Sequence, residues 1–144
     1  MLLLLLLLKT WNDYNLKWDP AEYGNITSIR VTSSQIWIPD LILYNSADDS
    51  FDTTAKVNAV LYSDGTVSYL PPGIFKSTCQ IKIQDFPFDE QSCEVKFGSW
   101  TYDEDSVNLT NKSDQAQLDS YIINGEWHLL SKYLFSLSLI FFFV

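Results

Sequence analysis

The most reactive groups in this chain are two thiols, Cys79 and Cys93, the only cysteines among its 144 residues. Thirteen residues separate them, in the stretch CQIKIQDFPFDEQSC. Oxidised to a disulfide, the pair would close a loop of about 15 residues, which on the chain-entropy account stabilises a fold by roughly 3 kcal/mol. Within the loop, Phe86-Pro87-Phe88-Asp89 sets two rings and an acid around a proline, a residue that admits a cis bond in a tight turn. A loop so stapled is either a structural clip or a rigid surface that displays aromatic rings for docking.

A second chemistry is available just downstream. Cys93, Val95 and Phe97 share one parity, Glu94 and Lys96 the other, and Trp100 falls with the charged set. On a regular strand its ring would turn away from the core, where it suits a cation–π contact worth about 0.5–2 kcal/mol. The competing reading is an ordinary core tryptophan, the commoner fate in a β domain. Other chemistries find no constellation. His128 is the only histidine and has no cysteine or carboxylate partner motif. There is no G-x-S-x-G elbow and no phosphate-binding glycine loop. No enzyme activity, no cofactor and no metal is therefore expected. The acidic runs Asp48-Asp49 and Asp103-Glu104-Asp105 read as solvated turns ahead of a calcium site, because they lack EF-hand spacing.

The elements that must position these groups read as β. With 47% hydrophobic and 15% aromatic residues, the chain has the composition of one folded domain. Its net charge of -9 makes nucleic acid a poor partner and a cation a plausible one. The segment VNAVLYSDGTVSYLPP predicts a hairpin turning at Ser63-Asp64-Gly65-Thr66, with Gly65 free to take positive φ and Pro71-Pro72-Gly73 ending the second strand. SSQIWIPDLILYN predicts a strand interrupted at Pro39. Alternation predicts half-buried strands on both arms of the cysteine loop, with Cys79, Ile81 and Ile83 inward on the first and Cys93, Val95 and Phe97 on the second. NLTNKSDQAQLDS predicts an exposed connection. Short strands with turn signals between them predict an antiparallel sandwich. Three N-x-[ST] triplets, at Asn25, Asn108 and Asn111, join the cysteine pair in favouring an extracellular setting reached through the secretory pathway.

C-x13-C around F-P-F-D resembles the signature of the Cys-loop family of pentameric neurotransmitter-gated channels. FGSWTYD, WIPDLILYNSAD and YLPPGIFKSTC resemble its nicotinic acetylcholine receptor branch, and the likeness runs from Trp11 to Trp127. The resemblance implies an all-β, immunoglobulin-like antiparallel β-sandwich, the extracellular ligand-binding domain, here over residues 11–128. It also implies that acetylcholine or a similar quaternary ammonium ligand binds between sibling subunits in a ring of five. The receptor would stand in the cell membrane, held there by its pore domain, with this part on the extracellular side of a postsynaptic membrane. By the same resemblance Tyr44, Trp100 and Tyr102 belong to the principal face of the ligand site, and Val60, Ser68 and Leu70 to the complementary face. Asp40 braces the Trp100 segment and Lys96 links ligand contact to gating. Phe86, Pro87, Phe88 and Asp89 form the coupling loop that the Cys79–Cys93 disulfide closes. Burial would be the default for Tyr44, since both faces of Ile42-Leu43-Tyr44 are apolar.

The sequence also departs from the family pattern. Leu6 stands where an aromatic of the complementary face is expected, inside a leucine-rich start over 1–10 that resembles a degenerate signal peptide. The likeness stops at NGEWHLL, ahead of the family's last strands and its four membrane helices. The apolar tail over 129–144 is too short for a full helical span and shows neither turn chemistry nor alternation, so it reads as unrelated sequence. A second reading has it covering the sheet edge that the missing strands would leave. Two further functions stand beside this one: a soluble acetylcholine-binding module without a pore, which fits the missing helices but not the missing strands, and a truncated subunit that binds no agonist and only co-assembles with its siblings.

Overall fold

The computed structural model describes every residue except 1, 50–53, 114–122, 124, 136–137 and 144. Among the described residues the chain forms strands β1 (Leu2–Leu6), β2 (Lys9–Asn12), β3 (Ser28–Thr32), β4 (Leu41–Leu43) and β5 (Asn58–Tyr62). These are followed by β6 (Thr66–Tyr69), β7 (Pro72–Lys76), β8 (Gln91–Ser99), β9 (Leu129–Phe135) and β10 (Ser138–Phe143). Three short 3-10 turns are the only described helical elements, and no described helix is long and apolar enough to cross a membrane. The fold is all-β with antiparallel sheets, as the alternation predicts. The chain divides into two compact units, Leu3–Pro39 with Asp52–Ile74, and Met1–Leu2 with Asp40–Phe51 and Phe75–Val144.

The first unit is built on a four-stranded antiparallel sheet in the order β2-β6-β5-β3. Alternation sends Ala59, Leu61, Val67 and Tyr69 to one face, where Trp11, Leu16, Trp18, Val31, Ile36, Ile38 and Val57 pack against them. The hairpin joining β5 to β6 turns where the sequence predicts. Gly65 takes φ 86°, its N–H donates to the Tyr62 carbonyl at 2.9 Å, and the Thr66 N–H donates to Asp64 Oδ1 at 2.8 Å. Glycine is needed there twice over, since a Cβ at 65 would also stand 2.6 Å from the Asp13 carbonyl oxygen.

The second unit holds a four-stranded antiparallel sheet in the order β4-β8-β10-β9. The predicted break at Pro39 is present, since only Leu41–Leu43 of that apolar stretch is strand. β8 follows its parity, burying Gln91, Cys93 and Val95 and exposing Ser92 and Lys96. Leu43 and Phe75 are buried as well, and the Phe75 ring meets Phe97 edge-on at 5.2 Å. The apolar tail supplies β9 and β10, with β10 pairing along β8 from Ser138 opposite Lys96 to Phe143 opposite Gln91. A strand edge carries N–H and C=O groups that need partners, so an extended segment can be recruited to it without any alternation of its own.

The first arm of the cysteine loop departs from expectation. Residues 79–84 form no strand, and Ile81 and Ile83 are exposed, at 54% and 75%. Alternation alone makes no strand unless a partner backbone lies alongside, and here the partner is a side chain. Gln91 accepts from the Lys82 N–H at 3.0 Å through Oε1 and donates from Nε2 to the Lys82 carbonyl at 2.7 Å. The connection after β8 is exposed over its described part, 108–113, except at the half-buried Leu109, and the rest of that prediction lies outside the described residues.

Candidate functional site

Asp40, just after Pro39 and ahead of β4, organises the residues that follow β8. Its Oδ1 accepts from the Ser99 hydroxyl at 2.6 Å, and its Oδ2 from the Thr101 N–H at 2.8 Å and the Thr101 hydroxyl at 2.5 Å. The Asp40 carbonyl accepts the Trp100 N–H at 3.3 Å, and Ser99 Oγ accepts the Tyr102 N–H at 3.0 Å. One carboxylate thus fixes the bend that carries Trp100 and Tyr102. Burial pushes the Asp40 carboxyl up, but the hydrogen bonds from Ser99 and Thr101 outweigh it and hold the group below its ordinary value.

Trp100 leaves this bend 69% exposed and Tyr102 is exposed as well. Tyr44, which default packing would bury, is 52% exposed and reaches along β8 to donate its hydroxyl to the Ser99 carbonyl at 2.5 Å. Its own N–H donates to the Lys96 carbonyl at 2.8 Å. Asn45 prolongs the pairing with its side chain, donating to the Glu94 carbonyl at 2.9 Å and accepting the Lys96 N–H at 3.0 Å. The Lys96 ammonium meets Glu94 Oε2 at 2.7 Å, with both side chains about half exposed, so the pair contributes little to stability. Exposed rings on an acidic chain can offer their faces to a cation desolvated against them.

Tyr44, Trp100, Tyr102, Asp40 and Lys96 therefore come together in one unit. Val60, Ser68 and Leu70 lie in the other. There Val60 and Ser68 face each other across β5 and β6, flanked in register by Arg30 and Thr10, and Leu70 is exposed just past β6.

Cys79 and Cys93 are joined in a disulfide, with Cα atoms 5.2 Å apart. The loop presents Phe86 and Phe88 to solvent, and the Phe86–Pro87 bond is cis. Asp89 accepts from the Gln91 side-chain amide. Asn25, Asn108 and Asn111 are all exposed, with Asn25 at φ 61°. The acidic runs lie in local structure. Asp48 pairs with Lys76 at 2.9 Å, and Asp103 is held below the ordinary carboxylate range by hydrogen bonds from the Ser106 hydroxyl and then its N–H.

Sequence reasoning missed three residues. Gln91 shares the parity of Cys93 and Val95, so it is a polar group at a core position that must find partners. Asn45 ends an apolar strand with an amide that can stand in for backbone. Gly98 interrupts a strand pattern, which signals the close approach of another group.

The family model for the neurotransmitter-gated ion-channel ligand binding domain matches residues 1–137. The chain is 56% identical over 120 residues to the acetylcholine receptor subunit alpha-type acr-16 of Caenorhabditis elegans, covering 83% of this chain and 24% of that protein. It is 50% identical over 121 residues to the neuronal acetylcholine receptor subunit alpha-2 of Mus musculus, covering 84% of this chain and 24% of that protein. It is also 50% identical over 131 residues to the acetylcholine receptor subunit alpha-type acr-7 of Caenorhabditis elegans, with 84% and 24% covered. The chain thus spans about a quarter of the length of these relatives.

Proposed function

The chain belongs to the neurotransmitter-gated ion-channel ligand-binding domain family, among nicotinic acetylcholine receptor subunits, and from that premise we propose that it binds acetylcholine on the extracellular side of a cation channel. The family is one of ligand-gated channels and not of enzymes. Acetylcholine sits between neighbouring subunits in a ring of five, with Tyr44, Trp100 and Tyr102 on one side and Val60, Ser68 and Leu70 of a sibling subunit on the other. Lys96 and the Phe86-Pro87-Phe88-Asp89 loop carry the binding signal toward a pore that lies outside these 144 residues. The receptor works at a postsynaptic membrane, and Asn25, Asn108 and Asn111 carry glycans acquired in the secretory pathway.

The observation that carries this reading is the exposed Trp100 ring, on a bend fixed by Asp40, next to the Ser99 carbonyl that anchors Tyr44. A large ring that stands 69% exposed on a bend tied down by hydrogen bonds offers its face, and a quaternary ammonium needs such a ring face. The test is acetylcholine binding to cell-surface assemblies containing this chain. Trp100→Ala is expected to lower affinity by at least tenfold, and Trp100→Phe to retain part of it. Equal affinity for wild type and Trp100→Ala would remove Trp100 from the site.

A further inference from the structure

Gly98 lies within β8 and is buried, opposite Ile42 of β4 in the antiparallel register. Its φ lies outside the left-handed region, so the backbone conformation does not call for glycine. What calls for it is Tyr44. The Tyr44 backbone is paired two residues earlier on β8, at Lys96, while its hydroxyl reaches the Ser99 carbonyl. The side chain must cross the diagonal between these two points, and the place it crosses is position 98. A Cβ built there would overlap Cε2 of the Tyr44 ring and stand 3.0 Å from Cζ and 3.1 Å from Oη.

We propose that Gly98 is a positioning residue for Tyr44: the missing side chain is what seats the ring against β8, where it forms one wall of the quaternary-ammonium site. The proposal rests on the acetylcholine-binding reading above for its functional half, and on geometry alone for the seating of the ring. Two routes could relieve an added methyl. The strand could shift, which the Ile42 pairing and the neighbouring ladder oppose, or the half-exposed ring could swing into solvent, giving up one hydrogen bond. The second is the easier, so Gly98→Ala leaves the sheet in place and unseats Tyr44. A residue that mattered only for folding would behave in the opposite way.

The test uses five chains: wild type, Gly98→Ala, Tyr44→Ala, Tyr44→Phe for assignment, and the Gly98→Ala/Tyr44→Ala double variant, which relieves any overlap that stops Gly98→Ala from folding. Acetylcholine affinity is measured on cell-surface assemblies. In the same chains except the Tyr44→Ala pair, 19F resonances of incorporated 3-fluorotyrosine are recorded without ligand, with the Tyr44 signal assigned by its loss in Tyr44→Phe. Gly98→Ala is expected to move the Tyr44 resonance and to lower affinity about tenfold, yet to change affinity less than twofold once Tyr44 is alanine. An unmoved resonance, or the same loss of affinity with and without the Tyr44 ring, would overturn the proposal. Absence of acetylcholine binding by wild type would overturn the functional reading instead, and the resonance would still decide whether Gly98 seats the ring.

Discussion

Replacing Asp40 separates the energy of the bend from the chemistry it presents. Three hydrogen bonds reach the carboxylate, from the Ser99 hydroxyl and from the Thr101 N–H and hydroxyl. A hydrogen bond to a charged acceptor contributes about 1.5–3 kcal/mol, but Asp40 is half-buried, and water competing for its oxygens reduces this to about 1 kcal/mol each. Asp40→Ala should then destabilise the domain by about 3 kcal/mol. Asp40→Asn keeps an acceptor toward Thr101 and can donate to Ser99 Oγ, so its loss should be about 1 kcal/mol, the charge-assisted part. The assay is urea unfolding of the secreted chain, followed by tryptophan fluorescence. The pH dependence carries a sign. Because the folded carboxyl lies below its ordinary value of 3.8, its contribution is complete above that value and is lost as pH falls through the lower folded pKa. The stability gap between wild type and Asp40→Asn should therefore be flat at neutral pH and close only in strong acid, below about pH 4. A gap that closes between pH 5 and 7, or an Asp40→Ala cost below about 0.5 kcal/mol, would refute the account.

Three further variants probe the frame. Gly65→Ala forces a side chain into positive φ and against the Asp13 carbonyl, and should cost about 1–3 kcal/mol in the same unfolding assay. Leu61→Ala removes a buried side chain from the core of the first sheet and should cost about 2–4 kcal/mol, with the midpoint rather than the slope of the urea curve moving. Gln91→Leu fills the same space but leaves the Lys82 N–H and C=O without that partner. It should speed hydrogen exchange at Lys82 far more than at Val95, which lies deeper in β8.

Much of this arrangement was legible because it is local. Ser63-Asp64-Gly65-Thr66 encodes its turn within four residues, through a glycine that can take positive φ and an aspartate that caps the next N–H. The parity of β8 is local too, and it turns Lys96 outward and Cys93 and Val95 inward. Trp100 stands exposed beyond the end of the strand, where the strand's parity no longer applies and the bend held by Asp40 sets the ring's place. What sequence alone left hidden depends on contacts between distant segments. Tyr44 is held out of the core by an acceptor 55 residues away, and a carboxylate 59 residues upstream of Ser99 shapes the Trp100 bend. The strand pairing of the apolar tail is hidden for the same reason, because it depends on which edge of β8 is open to it.

The two arms of the disulfide loop show most plainly why alternation is insufficient. Cys79-Ile81-Ile83 and Cys93-Val95-Phe97 are matched patterns, yet only the second lies in a ladder. A period-2 pattern states which face a strand would bury. It does not state whether a neighbouring backbone exists to make it a strand. The information that decides the case sits in the one residue that breaks the apolar parity. Gln91 is buried, and a buried amide must spend its donors and its acceptor nearby. It spends them on both backbone groups of Lys82 and on Asp89, the partners an adjacent strand would otherwise have occupied or left to water. Asn45 repeats the device on the β4 side, bonding Glu94 and Lys96 where the backbone ladder of β4 has ended. A polar amide at an inward position, or just past a strand's end, is therefore a sequence signal that the ladder stops there and a side chain takes over. By that rule Gln91 ties the loop's first arm to β8 at Lys82, beside the disulfide, and Ile81, Ile83, Phe86 and Phe88 stand exposed around that tie.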